Sequence, residues 1–392
     1  MARLAEKKDC TGCGACFSVC GANAITMTED LEGFLYPNMD AKRCVNCKKC
    51  TAVCPVINCT SGRKTVLKAY GLKNRNLSIR KQSASGGAFS AIAEYMINHY
   101  NAYIFGAKFD SEFNVVHDYT SSIEGLTAFR GSKYIQSNLN DCFKEIKRLL
   151  SEGKYVMFTG TPCQVHGLVE FLGHKYDNLL TVDLICHGLP SPKIWKSFLE
   201  FVEQKYKAKL RFCNLRSHWQ GVHTKLFFEK KSFEDRKDIL SFLDIFYSSY
   251  AMRPSCYRCR YTNLNRVSDI TIADFWGIEN VRADFKDEFG VSIALINSEK
   301  GINVFENLKD NIQYFETDVS KTNQPHLKYP IKVSSEKDRN EFWNTYNRFG
   351  YDILAKRYSR YGFVNNLKRN FNIALTMLKS VIKEVIRYDK KL

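Results

Sequence analysis

Lys154-Tyr-Val-Met-Phe158, Thr159-Gly-Thr-Pro162, Cys163–Leu172 and Leu179-Leu-Thr-Val-Asp-Leu-Ile185 follow one another in the middle of the chain. The first segment reads as an apolar strand and the second as a turn. The third reads as a helix and the fourth as another apolar strand. Strand, helix, strand is a βαβ unit, so the two strands are expected to run parallel. Their carboxyl ends then face one crevice, where open α/β sheets bind ligands. That arrangement brings Cys163 and Cys186, the latter in Cys186-His187-Gly188, to the same end of the sheet.

Outward from this unit, Ala88–Ile97 reads as a helix behind Ser83-Ala-Ser85-Gly86-Gly87. Small residues at a helix start leave amides free to hold a phosphate, although a Ser/Gly N-cap accounts for the same pattern. Ala102–Ala107 and Phe113–His117 read as a hairpin-like pair of strands. Downstream, Cys256-Tyr-Arg-Cys259 supplies a CxxC pair. With Cys163 and Cys186 it makes four thiols, enough for a cubane cluster, while Cys163 and Cys186 as two buried structural thiols remain the alternative. His166 and His187 adjoin these cysteines and read as scaffold residues; Cys59, Cys142 and Cys213 fit no motif.

The N-terminal segment has a different character. Cys10-Thr-Gly-Cys13-Gly-Ala-Cys16 precedes Cys20, and the spacing recurs in Cys44, Cys47, Cys50 and Cys54-Pro55. Three thiolates at i, i+3 and i+6 wrap a cubane, whereas tetrahedral zinc favours CxxC pairs. In two-cluster ferredoxins the remote cysteine of each run serves the other cluster. One [4Fe–4S] cluster is thus expected on Cys10, Cys13, Cys16 and Cys54, and a second on Cys44, Cys47, Cys50 and Cys20. Gly12-Cys-Gly14-Ala-Cys-Phe17 imitates a dinucleotide fingerprint but follows no strand and lacks the third glycine.

The chain has 392 residues, 44% hydrophobic and 25% charged, which places it in the globular range. Its fifteen cysteines, an odd number behind a polar N-terminus, argue for thiols and metal ligands and for a cytoplasmic protein. The formal charge is +17. Between Lys356 and Leu392 ten basic residues face only Glu384 and Asp389, so nearly half of the excess is local. No nucleic-acid module is spelled out, and no nucleic-acid partner is expected. Phe371, Ala374, Leu375, Leu378, Val381, Ile382 and Val385 recur at helical spacing with Lys379, Lys383 and Arg387 on another face. A basic amphipathic tail fits packing on the protein's own core, or peripheral contact with a membrane surface or a partner.

Taken together, Arg80…Ser83-Ala-Ser-Gly-Gly87, Gly131-Ser-Lys-Tyr134-Ile-Gln-Ser137, Gly160-Thr-Pro-Cys163-Gln164, Asp183-Leu-Ile-Cys186-His-Gly188, Cys256-Tyr-Arg-Cys259, Asp269-Ile-Thr-Ile-Ala-Asp274-Phe-Trp-Gly277 and Gly290-Val-Ser292…Asn297 resemble the family of coenzyme F-420 hydrogenase/dehydrogenase beta subunits. The motifs occur in family order across about residues 66 to 330. The resemblance implies a flavoprotein oxidoreductase, typically with FAD and one [4Fe–4S] cluster beside it. It implies that Cys163, Cys186, Cys256 and Cys259 hold that inner cluster, and that Ser85, Gly86, Gly87, Ser132, Lys133 and Tyr134 lie around the flavin. Ala273 departs from the family's usual glycine, and Arg216-Ser-His-Trp219-Gln-Gly221 is a loosened form of a family phrase.

The expected architecture is a small dicluster ferredoxin domain over residues 1–62, a larger mixed α/β flavin and iron–sulfur domain over 63–330, and a helical basic extension over 331–392. Three functions compete: an oxidoreductase with its own hydride donor or acceptor, an electron-transfer subunit serving a redox partner protein, and a scaffold with structural clusters. A flavin converts two-electron hydride chemistry into the one-electron steps that clusters carry.

Overall fold

The computed structural model describes residues 2–219, 221–333 and 335–362. They form two compact units. The first comprises Met1–Lys193, Leu215–Gly221 and Met252–Lys332; the second comprises Ile194–Asn214, Val222–Ala251 and the described residues of 333–362.

The N-terminal part of the first unit holds two short helices, α1 (Ala15–Ser18) and α2 (Lys49–Ala52), and an antiparallel hairpin, β1 (Ile25–Glu29) with β2 (Leu35–Met39). The internal repeat is written in the backbone. Gly12 and Gly14 adopt φ of +68° and +74°, and Asn46 and Lys48, at the same places in the second run, adopt +52° and +59°. Left-handed backbone is natural for glycine and strained for lysine. The loop geometry is therefore imposed by what the loop surrounds, and the residue type follows only in the first copy.

An eight-stranded sheet forms the rest of this unit. Its strands are β3 (Lys68–Asn74), β4 (Tyr103–Phe109), β5 (Val115–Thr120), β6 (Val156–Gly160), β7 (Leu179–Leu184), β11 (Ile270–Asp274), β12 (Ser292–Ile296) and β13 (Ile312–Thr317), in the order β13-β3-β12-β11-β7-β6-β4-β5. β8 to β10 belong to the second unit. β4, β6, β7 and β11 are mutually parallel, whereas β5, β12 and β13 pair antiparallel to their neighbours. The expected βαβ unit is β6, helix α6 (Pro162–Leu172) and β7, with the two strands adjacent and parallel. The expected hairpin is β4 and β5.

Side chains alternate across this sheet with period two. Ile104, Met157, Leu180 and Val182 pack with α4 (Ala88–Tyr100) and α9 (Glu299–Leu308). Phe105, Val156, Phe158 and Leu179 pack on the opposite side with α5 (Cys142–Ser151) and α6. Cys13 and Ala15 join this second cluster, so the first cysteine loop packs directly against the sheet's helical layer. A further helix, α3 (Leu77–Gln82), is capped by the Asn76 side chain accepting from the Ser78 and Ile79 amides.

The second unit contains α7 (Pro192–Tyr206, which begins two residues earlier in the first unit), strands β8 (Leu210–Asn214), β9 (Lys225–Phe228) and β10 (Ser232–Glu234), helix α8 (Ser241–Ser248) and α10 (Glu336–Tyr358). α10 is two helical pieces across Gly350, whose φ is +71°. Phe198, Phe242 and Tyr351 meet ring to ring in its core, and Arg360 donates to both oxygens of Asp244. The amphipathic segment from Phe371 to Arg387 lies outside the described residues. Among the described residues, no helix is long and apolar enough to cross a membrane.

Candidate iron–sulfur and flavin site

One cavity is ringed by Cys10, Cys13, Cys16 and Cys54, with Gly12, Gly14, Ala15 and Val56 between them. Burial pushes the Cys13 thiol up to about 12, and the neighbouring Cys10, Cys54 and Cys163 sulfurs push it the same way. Burial likewise holds Cys16 well above the usual thiol range, reinforced by Cys13, Cys10 and Cys54. Burial raises Cys54 as well; thiols held up in this way stay protonated on their own, and a metal would take the proton's place. The donor set therefore fits a [4Fe–4S] cluster.

The second expected set is less enclosed. Cys50 is buried beside Ala2 and Ile25, with Cys20 and Cys44 packed on the same cluster. The Cys20 sulfur also accepts from the Ala24 amide at 3.3 Å. Cys47 is exposed. Around it Lys42, Arg43, Lys48 and Lys49 are exposed, and Val45 is 70% exposed.

A third set lies at the carboxyl ends of β6 and β7, where the βαβ reading puts it. Burial pushes Cys163 and Cys256 up to about 12. It holds Cys186 well above the usual range, and the Cys256, Cys163 and Cys259 sulfurs add to the effect. The four residues are thus mutual neighbours although they come from two distant parts of the chain. Gln164, next to Cys163, closes the first turn of α6 by accepting from the Thr161 amide at 3.0 Å. Its amide nitrogen donates to Ser137 Oγ at 2.9 Å.

Two histidines adjoin this set. His166 is fully buried, with Nδ1 2.8 Å from Tyr261 Oη and Nε2 3.2 Å from Glu170. His187 Nδ1 faces His326 Nε2 at 2.8 Å, and burial lowers the His187 pKa to about 4, with His326 pushing the same way. Cys59, His166 and Glu170 come close enough to suggest a metal triad. However, Glu170 Oε1 already accepts from the Thr60 and Ser61 amides and from Ser61 Oγ at 2.7–3.0 Å. Its other oxygen accepts from the Thr60 hydroxyl, so the carboxylate already serves to tie down residues 60 and 61.

The residues expected around a flavin fall into two loops. Ser85 is buried and donates to the Val291 carbonyl at 2.9 Å. Gly86 is bare because a Cβ would strike the Leu72 carbonyl and lie 2.6 Å from the Ser292 amide. Its missing side chain is accounted for by the approach of β3 and β12, without any ligand. Gly87 supplies the left-handed residue before α4. In the other loop, Lys133 Nζ donates to the Ala128 and Arg130 carbonyls, while Ser132 and Tyr134 are half-buried. Arg130, which carries no motif, joins the loops by donating to Gln82 at 2.9 Å and to Ser90 at 3.0 Å. Nearby, Arg216 pairs with Asp274 at 2.6 Å and donates to the Trp219 carbonyl, so the loosened phrase sits at the end of β11.

Other residues come into the site that no spacing rule marks. Arg253 is fully buried and donates to the Cys10 carbonyl at 2.8 Å, to the Leu35 carbonyl at 3.0 Å and to Gln136 at 2.9 Å. Gly167 presents its Cα to Cys13. The only signal for either was proximity in sequence to a cysteine motif.

Two parts of the chain match known families. Residues 153–322 match the family described as the carboxyl-terminal part of the coenzyme F420 hydrogenase/dehydrogenase beta subunit. Residues 9–58 match the 4Fe-4S dicluster domain. The chain thus joins a 4Fe-4S dicluster domain to a region of the coenzyme F420 hydrogenase/dehydrogenase beta-subunit family. Its dicluster region accounts for two [4Fe–4S] clusters. The chain is similar to a subunit, designated F, of the F(420)H(2) dehydrogenase of Methanosarcina mazei, with 23% identity over 345 residues, covering 81% of this chain and 87% of that protein. The N-terminal part is similar to an uncharacterized ferredoxin of Methanocaldococcus jannaschii, 36% identical over 52 residues, covering 13% of this chain and 66% of that one. A solved chain of the F420-reducing [NiFe] hydrogenase complex from Methanosarcina barkeri aligns at 15% identity with a TM-score of 0.46, covering 75% of this chain and 92% of that one.

Proposed function

We propose that this chain moves electrons between a hydride donor or acceptor, a bound FAD, an inner [4Fe–4S] cluster and the two ferredoxin clusters. In this reading Cys163, Cys186, Cys256 and Cys259 hold the inner cluster. Cys10, Cys13, Cys16 and Cys54 hold its neighbour, and Cys44, Cys47, Cys50 and Cys20 hold the outer one. Residues 1–62 act as the ferredoxin domain, and 63–330 carry the flavin and inner cluster. When bound, the flavin splits a hydride's two electrons into the single electrons that clusters carry. The relative from M. mazei, named as part of an F(420)H(2) dehydrogenase, supports a deazaflavin as the hydride source.

The observation that carries the reading is the adjacency of the first and third thiol sets. Cys13 and Cys163 sit close enough for each sulfur to weigh on the region they share. The chain's own contribution is positional: α6 fixes Cys163, and the loop of α1 lays Cys13 against the same helix. Exposed Cys47, in a loop rich in lysine and arginine, favours an outlet to a redox partner protein over a purely internal circuit.

Anaerobic purification with iron, sulfide and flavin quantified, followed by turnover with reduced deazaflavin and with a nicotinamide against an artificial acceptor, tests the proposal. Full loading with about twelve irons and flavin, together with deazaflavin turnover, is expected. Absence of flavin from fully iron-loaded protein would refute the flavin part.

A further inference from the structure

Two arginines of this unit are almost wholly buried, and they are neutralised in different ways. Arg266 faces Asp183 at 3.0 Å, both side chains about 1% exposed. Arg253, at 0% exposure, has no carboxylate partner among the described residues. Its Nε donates to the Cys10 carbonyl, Nη1 to the Gln136 side-chain oxygen and Nη2 to the Leu35 carbonyl, all neutral acceptors. Its Nη2 also lies 3.8 Å from Cys10 Sγ. The guanidinium stacks 4.0 Å over the Tyr36 ring. A buried cation without a counter-ion is costly, and proteins keep one only where a negative charge offsets it. The sulfur it touches is that of Cys10, where a bound cluster would bring the negative charge. The position is also built for it: a Cβ on Gly12 would lie 2.6 Å from Gln136 and 2.9 Å from Arg253, so the cysteine loop leaves that space to the pair.

Arg253 belongs to the inner set as well. Its carbonyl accepts from the Cys256 amide at 2.9 Å. One cation thus stands between the two sets of ligands.

We propose that Arg253 is a positioning residue that raises the reduction potential of the cluster on Cys10, Cys13, Cys16 and Cys54, so that electrons leaving the inner cluster settle there. The inference rests on the assignment of that cluster. Reduction adds one electron and one negative charge to the cluster, with no bond made or broken. A fixed positive charge beside one ligand sulfur favours the reduced form, and net charge and contacts to the sulfurs are recognised controls of cluster potential. Gln136, which holds Arg253 by a neutral oxygen, keeps that charge uncancelled.

The test is a potentiometric titration of the full-length, anaerobically loaded protein, followed by electron paramagnetic resonance. The signal of interest is the one missing from Cys13→Ser. Gln136→Glu replaces an amide by a carboxylate of the same shape 2.9 Å from Arg253, cancelling the charge without moving it. The expected result is unchanged iron and sulfide with this one signal shifted at least tenfold toward the oxidised form, 59 mV for a one-electron couple. Arg253→Lys, which keeps the charge, is expected to titrate at least tenfold above Arg253→Gln in the fraction that loads iron. An unshifted Gln136→Glu protein, or equal potentials in the Lys and Gln variants, would overturn the inference while leaving the cluster assignment intact. If Cys13→Ser loses neither iron nor any signal, the assignment itself fails.

Discussion

Cys13 rests on the bare Cα of Gly167: a Cβ added there would lie 2.7 Å from Cys13 Cβ and 2.8 Å from its sulfur. Gly167 is one turn beyond Cys163 on α6, so both cysteines address the same helix face. The glycine is what lets two sets of thiols share a wall. Gly167→Val should therefore displace Cys13, lower iron by about four per chain and cost about 1–3 kcal/mol of stability through overpacking. Iron analysis and thermal unfolding would check it, and full iron in a stable variant would refute it.

Cys256→Ser with Cys259→Ser is expected to remove about four irons, the content of one cubane. The ferredoxin signals should remain. Stopped-flow reduction by the hydride donor should then show prompt flavin reduction and slow transfer onward; unchanged transfer would mean that these cysteines are not the bridge.

The loop around Cys47 carries Lys42, Arg43, Lys48 and Lys49 with one nearby acid, Asp40, 3.7 Å from Arg43. An acidic ferredoxin should accept electrons faster at low salt than at high salt. Reversing the four charges to glutamate should slow that step about tenfold or more at low ionic strength. Equal rates in both proteins would place the outlet elsewhere.

Asp269 ties three distant elements together. It pairs with Lys64 at 2.8 Å, and it accepts from the Thr181 amide and hydroxyl and from Ser298 Oγ. Burial pushes its carboxyl up, but the Lys64 ammonium and these donors outweigh burial and hold it below the ordinary value of 3.8. A depressed carboxyl stabilises the fold above its unfolded pKa and loses that contribution as pH falls through its folded one. The wild type should thus lose stability below about pH 4, and Asp269→Ala should cost about 3 kcal/mol at neutral pH while flattening that acid limb. A variant as acid-sensitive as the wild type in urea titrations would contradict this.

Spacing made the cysteine runs readable, because three thiols at i, i+3 and i+6 have few structural uses. Periodicity made β6, α6 and β7 readable for a similar reason. Gly86 shows where reading stops. A bare glycine before a helix looks the same in sequence whether it faces a phosphate or the Leu72 carbonyl. Arg253 was invisible because its role is defined by residues 10, 35 and 136, which no local pattern joins to it. The sheet order was equally hidden, since β3, β12 and β13 pair across most of the chain.

The place of β3 bears on how the protein is made. Leu72 pairs with Ser292 on one side and Tyr314 on the other, so both neighbours emerge from the ribosome long after it does. The cysteine runs are complete by Cys54 and can take up their metal while the strand behind them is still single. Such distant pairing folds slowly and leaves apolar edges open meanwhile. Yield in a foreign host should then depend on chaperone supply during elongation as much as on iron, and slower translation should help before more iron does.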